Sequence, residues 1–118
     1  MEKFVLITYL FDFYCGLLTE KQRDLIYSYY FDDLSLGELS AQYNISRQSV
    51  FDTIKKAEQK LLDYESKLHL YEKHKIQKKN IENIEEIVAT FEKDIENISI
   101  KSRLEDLSNQ IALLKNNI

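Results

Sequence analysis

The chain has 118 residues, a length that suits one domain or one small domain with an extension. It contains no proline and only two glycines, and 31% of its residues are charged, a composition that favours an all-α protein. The net charge of -4 excludes a surface that is basic throughout, and the single cysteine excludes an internal disulfide. A lone thiol suits a reducing compartment, so we expect a cytoplasmic location.

The first predicted element is an almost uniformly apolar helix over residues 4–14. A secretory signal is the alternative interpretation, but Asp12 interrupts the apolar run and no small-residue cleavage site follows it. The run is also too short to span a bilayer. Because a helix that is apolar all round must be covered all round, the segment predicts a buried first helix and hints at self-association.

The second helix is predicted to begin after Thr19, because Thr19 and Gln22 have the spacing of a capping box. It should continue to about Phe31. Leu25 and Ile26 fall on the face that we expect to meet the core.

Two helices joined by a tight turn are predicted between residues 35 and 60, the pattern of a helix-turn-helix. Ser35 and Glu38 form a second predicted capping box. Asn44 tolerates the left-handed conformation that often ends a helix, and Ser46 is a good N-cap for the next one. One apolar stripe then follows at helical spacing: Val50, Ile54, Ala57 and Leu61.

The opposite face of this later helix is polar and partly basic, as in a helix that enters a major groove. Residues 46–80 carry nine basic and five acidic side chains, whereas the segments before and after them are each net negative. Asp52 would repel phosphate but could accept a hydrogen bond from a cytosine amino group. An ordinary helical hairpin with a solvated face is the alternative. The predicted base contacts are Arg47, Gln48, Ser49, Asp52 and Thr53, beside the cap residue Ser46, and the predicted phosphate contacts are Lys55, Lys56 and Lys60.

The later helix of the pair does not stop where such a unit normally ends. Apolar steps of three and four residues predict that it runs from Arg47 to about Glu72. The polar residues 73–80 interrupt the pattern and predict a turn. We therefore predict a four-helix domain over residues 1–63 and an extension over residues 64–118 that continues the long helix.

Two further amphipathic helices are predicted in the extension. A heptad-like apolar stripe runs from Ile81 to Ile98. After a break at residues 99–102, Ser102 and Glu105 form a third predicted capping box. We expect these stripes to fold back on the long helix and also to pair with a second subunit, which would make the protein a homodimer.

The signatures of an enzyme or of a metal protein are absent from the sequence. It contains no glycine-rich phosphate loop, no Ser/His/Asp set and no Cys/His cluster with metal-ligand spacing. His69 and His74 are five residues apart, so on one helix they would point in different directions and could not share a metal ion. We predict a non-enzymatic protein with no cofactor and no metal site.

Several stretches of the chain are similar to a known family: residues 9–14, 18–23, 33–40, 45–50, 55–58, 63–65 and 68–71. With them the chain resembles region 4 of bacterial sigma factors and, more narrowly, the YlxM family of small bacterial helix-turn-helix proteins. The resemblance extends over about residues 4–75. The C-terminal third matches only in its helical character.

The resemblance implies an all-α, sigma-region-4-like fold in a cytoplasmic regulatory protein. It also implies a role in the signal recognition particle pathway, where the particle's GTPase and RNA are the candidate partners. Three hypotheses stay open: a regulator that binds DNA, a non-enzymatic accessory that binds the particle's GTPase or RNA, and a structural dimeric adaptor.

Overall fold

The computed structural model describes residues 2–118, and its regular structure is entirely helical, which confirms the predicted all-α class for these residues. A single 3-10 turn, Cys15–Leu17, separates the first two helices. The chain divides into two units, Met1–Tyr71 and Glu72–Ile118. The helices are α1 (Lys3–Tyr14), α2 (Glu20–Tyr30), α3 (Leu36–Tyr43), α4 (Arg47–Leu68), α5 (Leu70–Lys93) and α6 (Ile98–Asn116).

The core of the first unit is built from the apolar faces of α1 to α4. The stripe predicted on α4 is confirmed, because all four of its side chains are buried. Leu25 and Ile26 of α2 and Leu39 of α3 are also fully enclosed. Each such large side chain contributes about 1.5–3 kcal/mol when it leaves water, so this core is the main stabilising element of the unit.

Only one side of α1 is covered within the first unit. Ile7, Leu10 and Tyr14 are fully buried, but Phe4 and Tyr9 remain about half-exposed. The expectation of a buried first helix therefore holds for one face. The apolar pattern itself could not show this, because it is nearly uniform around the helix.

The predicted local caps of α2 and α3 are confirmed in detail. Thr19 and Gln22 form a capping box at the start of α2, and Ser35 and Glu38 form another at the start of α3. Asn44 ends α3 in the left-handed conformation, with φ of 54°. These signals lie within a few residues of the helix ends, and that is why sequence alone could locate them.

The predicted course of the long helix is wrong. α4 ends at Leu68, where His69 adopts a left-handed conformation with φ of 55°. α5 begins at once and passes through residues 73–80, where a turn was predicted. The polar residues of that segment are mostly exposed on α5, so they reflect a solvated helix face rather than a break.

Side chains from α1 and α4 satisfy the first amides of α5. The hydroxyl of Tyr14 accepts a hydrogen bond from the Leu70 amide at 3.1 Å and donates one to Oε1 of Glu65 at 2.7 Å. Oε1 of Glu65 also accepts from the Tyr71 amide at 3.0 Å. These hydrogen bonds stabilise the break at His69, because the first amides of a helix otherwise have no partner within the helix.

The second unit is a pair of helices, α5 and α6, connected by residues 94–97. Ile81, Val88 and Ile111 are buried between them, and Leu104 packs against this cluster. Lys115, near the end of α6, forms an ion pair with Glu85 in α5 at 3.2 Å. A short connection, and the contact of the last turn of α6 with the middle of α5, make the two helices antiparallel.

The predicted third capping box is wrong. Asn97, not Ser102, is the N-cap of α6, and its side chain accepts from the amides of Ser99 and Ile100. Ser102 and Glu105 lie within the helix. Asparagine is as good an N-cap as serine, and here it captures two amides at once. Within residues 2–118, none of the helices has both the length and the apolar character needed to cross a membrane.

Candidate nucleic-acid interface

The turn between α3 and α4 fixes the direction in which α4 leaves the core. After Asn44, the hydroxyl of Ser40 donates to the carbonyl oxygen of Ile45 at 2.5 Å. The hydroxyl of Ser46 then accepts from the Ser49 amide at 3.0 Å, as the sequence predicted for this N-cap. With Val50 fully buried, the opposite side of the first two turns of α4 must face solvent.

The predicted contact residues differ in how far they reach solvent. Ser49, Thr53 and Lys60 are half-buried. The hydroxyl of Thr53 donates to the Ser49 carbonyl oxygen at 2.8 Å, so it is turned toward its own helix. The exposed members of the predicted set are Ser46, Arg47, Gln48, Asp52, Lys55 and Lys56.

The guanidinium group of Arg47 lies against α3. A Cβ atom built on Gly37 would be 2.9 Å from Nη2 of Arg47 and 3.2 Å from its Cζ. Gly37 has no positive φ, so its lack of a side chain serves this close approach and not a special backbone conformation. The only planar cationic group among the predicted contacts is therefore held by a residue that sequence reasoning did not select.

Gln48 and Asp52 form a pair one turn apart on the exposed face. Nε2 of Gln48 donates to Oδ1 of Asp52 at 2.9 Å. This contact fixes the amide and occupies part of the carboxylate. The pair presents one face with a second amide N–H and several acceptor oxygens, which suits base edges better than phosphates.

Two of the three predicted phosphate contacts have partners within the protein. Nζ of Lys55 lies 3.5 Å from Oε2 of Glu58 and 5.4 Å above the ring of Phe51. Nζ of Lys60 donates to Oε1 of Gln22 at 3.2 Å. Lys56 is exposed on the same side of α4. The carboxylate of Glu58 reduces the positive potential that the lysine count alone suggests, whereas the neutral amide of Gln22 holds the Lys60 ammonium group in place without cancelling its charge.

Glu58 is the most buried charged residue of the described chain, with 4% of its surface exposed. The hydroxyl of Tyr30 donates to its Oε1, and Nζ of Lys3 lies 2.9 Å from its Oε2. Burial raises the pKa of Glu58, but the hydrogen bonds from Tyr30 and Lys3 and the charges of Lys3 and Lys55 outweigh it and lower the pKa. The carboxylate is therefore ionised at neutral pH.

Sequence reasoning missed three residues that shape this surface. Gly37 carried a signal, because glycine destabilises a helix interior and its presence there indicates a close contact. Phe51 also carried one, as an aromatic residue on the edge of a polar face. Lys3 carried none, because only the fold brings it to Glu58.

A family model described as "Putative helix-turn-helix protein, YlxM / p13 like" matches residues 1–115. The chain is similar to a UPF0122 protein of Bacillus velezensis, with 39% identity over 107 residues, 91% of this chain and 97% of the relative. A UPF0122 protein of Shouchella clausii is 44% identical over 90 residues, 76% of this chain and 83% of the relative. One of Caldanaerobacter subterraneus is 48% identical over 87 residues, 74% of each chain.

Proposed function

Since the chain belongs to the YlxM / p13-like helix-turn-helix family, we propose that it is a non-enzymatic regulatory protein that binds nucleic acid, DNA in the first instance, in the cytoplasm. The observation that carries the proposal is the exposed polar face on the first two turns of α4. That face is presented at a fixed angle by the capped turn and the buried stripe behind it. Such a surface can enter a major groove without any rearrangement of the core.

The base contacts of the proposal come from the start of α4. Arg47, already held against Gly37, offers its exposed edge to guanine, for which a guanidinium fork is the best partner. The amide of Gln48 suits adenine once it leaves Asp52, and Asp52 can then accept from a cytosine amino group. Ser49 and Thr53 lie at the margin of this contact.

The phosphate contacts of the proposal are Lys56 first, then Lys55 and Lys60. Lys55 and Lys60 must share or exchange the partners they have within the protein, so their net contribution is smaller. A surface with few free cations predicts moderate affinity that depends on salt.

The direct experiment measures affinity for DNA as a function of salt. For wild type, the logarithm of the association constant should fall linearly with the logarithm of the salt concentration. Lys56→Ala should make this dependence shallower, with a slope smaller in magnitude by about one. Lys101→Ala, an exposed lysine on α6, is the matched control and should leave the slope unchanged. Binding that does not respond to salt, or no binding at low salt, contradicts the proposal.

An accessory role in the signal recognition particle pathway, by contact with the particle's GTPase or RNA, is the second candidate. The observation that favours it is a run of exposed lysines early in α5, outside the proposed recognition helix: Lys73, Lys75, Lys78 and Lys79. This run suits an acidic protein or an RNA backbone, neither of which needs the base-reading end of α4.

The two candidates separate in a co-sedimentation experiment with the reconstituted particle. The accessory role predicts binding that persists in an Arg47→Ala/Gln48→Ala variant and weakens when Lys78 and Lys79 become alanine. In a DNA-binding assay, the DNA-binding role predicts that the Arg47→Ala/Gln48→Ala variant loses affinity and that the variant with alanine at Lys78 and Lys79 keeps it. Digestion of nucleic acid before a pull-down shows whether the partner is nucleic acid or protein.

We also propose that the protein acts as a homodimer through its second unit. The support is an apolar flank of α5 and α6 that the unit does not cover, including Ile87, which is 68% exposed. Two-fold symmetric dimers are the commonest soluble oligomers, and they fit the symmetry of paired DNA half-sites.

A further inference from the structure

A cavity of about 270 Å³ opens beside the proposed recognition helix, between all four helices of the first unit. Its walls are largely aromatic, with Phe4 from α1, Tyr29 from α2 and Phe51 from α4. Phe4 and Phe51 are each at least 40% exposed, so their rings are available at the mouth. The volume is just below the roughly 300–1,000 Å³ of typical ligand pockets, so one ring system fits but a larger ligand does not.

The charged groups of the cavity form a cluster of three. Glu58 lies inside, and its Oε2 is paired with the ammonium groups of Lys3 and Lys55, at 2.9 and 3.5 Å. The ammonium groups of Lys3 and Lys55 lie at the rim, and both side chains are about half-exposed. Two ammonium groups against one carboxylate leave a net positive charge, which favours an anionic ligand.

Two requirements on a ligand follow from these groups. The aromatic walls favour a planar ring, and the two ammonium groups at the rim favour an anion there. A nucleotide has both: a base with a flat π-surface and a phosphate at its far end. An aliphatic anion lacks the ring, and a neutral ring lacks the anion.

We propose that this cavity binds one unpaired nucleotide, with the base between Phe4 and Phe51 and with the phosphate at Lys3 and Lys55. Lys55 and Phe51 lie on the same helix as Arg47 and Gln48, so a strand that lies along α4 can place an extruded base here. The inference rests on the proposed nucleic-acid function. It adds that the protein prefers a nucleic acid with an unpaired base over a fully paired duplex.

The test compares two DNA hairpins that differ only in whether one 2-aminopurine is bulged or paired. Wild type should bind the bulged hairpin roughly tenfold more tightly, as expected for one base–aromatic stack, and should quench the fluorescence of the bulged base. Phe51→Leu and Phe4→Leu should bring the ratio of the two affinities close to one. Phe4 lies on α1, so its variant leaves the recognition helix intact.

Tyr27→Leu is the control, because Tyr27 is also an exposed aromatic residue of this unit but packs on Phe11 and Phe31, away from the cavity. It should retain the preference for the bulged hairpin. Equal binding of the two hairpins by wild type, or a preference that survives both cavity variants, overturns this inference alone. Failure to bind either hairpin at low salt overturns the proposed function and this inference with it.

Discussion

The guanidinium group of Arg47 packs on the backbone of Gly37, so that any Cβ at position 37 would lie 2.9 Å from Nη2. The contact joins the first turn of α3 to the first residue of α4, across the turn of the helix-turn-helix. It restricts the one arginine of the proposed reading face before any ligand arrives. A long side chain that is already ordered loses less entropy on binding.

Gly37→Ala should therefore weaken DNA binding a few-fold, since ordering one such side chain costs about 0.5–1.5 kcal/mol. The free energy of unfolding should rise or stay unchanged. Alanine stabilises a helix interior by up to about 1 kcal/mol relative to glycine, and the clashing atoms belong to a flexible side chain that can move. Affinity and urea unfolding measured on the same samples separate the two effects.

A double-mutant cycle identifies the route of that effect. If Gly37 acts through Arg47, the substitution at position 37 should change affinity in the wild-type background and leave it unchanged in the Arg47→Ala background. An equal loss in both backgrounds would show that the alanine disturbs α3 itself, and the positioning role of Gly37 would be refuted.

Tyr14→Phe should destabilise the first unit by about 1–3 kcal/mol. The variant removes a hydroxyl that both accepts from the Leu70 amide and donates to Glu65, so two part-buried groups lose a partner. Hydrogen exchange of the Leu70 amide should accelerate accordingly. Urea unfolding gives the free energy, and exchange monitored by NMR gives the local effect.

Tyr64→Phe is the matched control for this prediction. Its hydroxyl donates only a long bond of 3.3 Å to the Leu17 carbonyl oxygen, at an exposed position. We expect a loss below about 0.5 kcal/mol, as for most exposed positions. Similar losses in the two variants would mean that the Tyr14 hydroxyl does not stabilise the start of α5.

These contacts show where sequence reasoning reaches its limit. Thr19, Ser35 and Ser46 cap helices through groups three residues away, so a short pattern contains both partners. The end of α4 depends on Tyr14, 51 residues from Glu65 in the chain, and no local pattern contains that pair. At α6 two acceptable cap patterns compete, and the sequence offers no ranking between Asn97 and Ser102.

The same distinction applies to the candidate site. The buried stripe of α4 fixes by periodicity which residues face solvent, so Arg47, Gln48 and Lys56 are exposed as expected. Periodicity does not give the partners of an exposed side chain. The packing of Arg47 on Gly37 and the pairing of Lys55 with Glu58 arise from tertiary contacts of flexible side chains.

Stability should be lost at both acid and alkaline pH through the Glu58–Tyr30 pair. The pKa of Glu58 is lowered in the folded protein, so its contribution is complete above the ordinary value of 4.5 and disappears as the pH falls below it. Burial and the contact with Glu58 raise the pKa of Tyr30, so its contribution is present below pH 10 and is lost as the pH rises beyond it. Urea unfolding across this pH range measures both limbs.

Tyr30→Phe tests the assignment of the acid limb to this pair. Without the hydroxyl donor, the pKa of Glu58 should rise toward its ordinary value, and the protein should lose about 1–3 kcal/mol at neutral pH. The difference from wild type should shrink as Glu58 becomes protonated. A difference in the free energy of unfolding that stays constant from pH 7 to pH 3 would contradict the assignment of the acid limb to this pair.

The apolar flank of the second unit predicts a dimer built from two α5–α6 pairs. At 3.6 residues per turn, Ile84, Ile87 and Phe91 all lie to the same side of the buried Ile81–Val88 line. Leu107 and Leu114 lie to the corresponding side of the Leu104–Ile111 line. Because the two helices are antiparallel, these sides meet on one face of the hairpin. All five side chains are at least 46% exposed.

A second copy of the hairpin would cover this face and complete a four-helix bundle, whereas one hairpin buries only three apolar side chains. Ile87→Glu should therefore convert a dimer into a monomer with unchanged helix content, as measured by sedimentation equilibrium and circular dichroism. Ile98→Glu is the control, since Ile98 is 84% exposed but lies on a different side of α6. A wild-type protein that is monomeric at all accessible concentrations, or an Ile87→Glu variant that dimerises as tightly as Ile98→Glu, would exclude this interface, because a buried, unpaired carboxylate at its centre must weaken it.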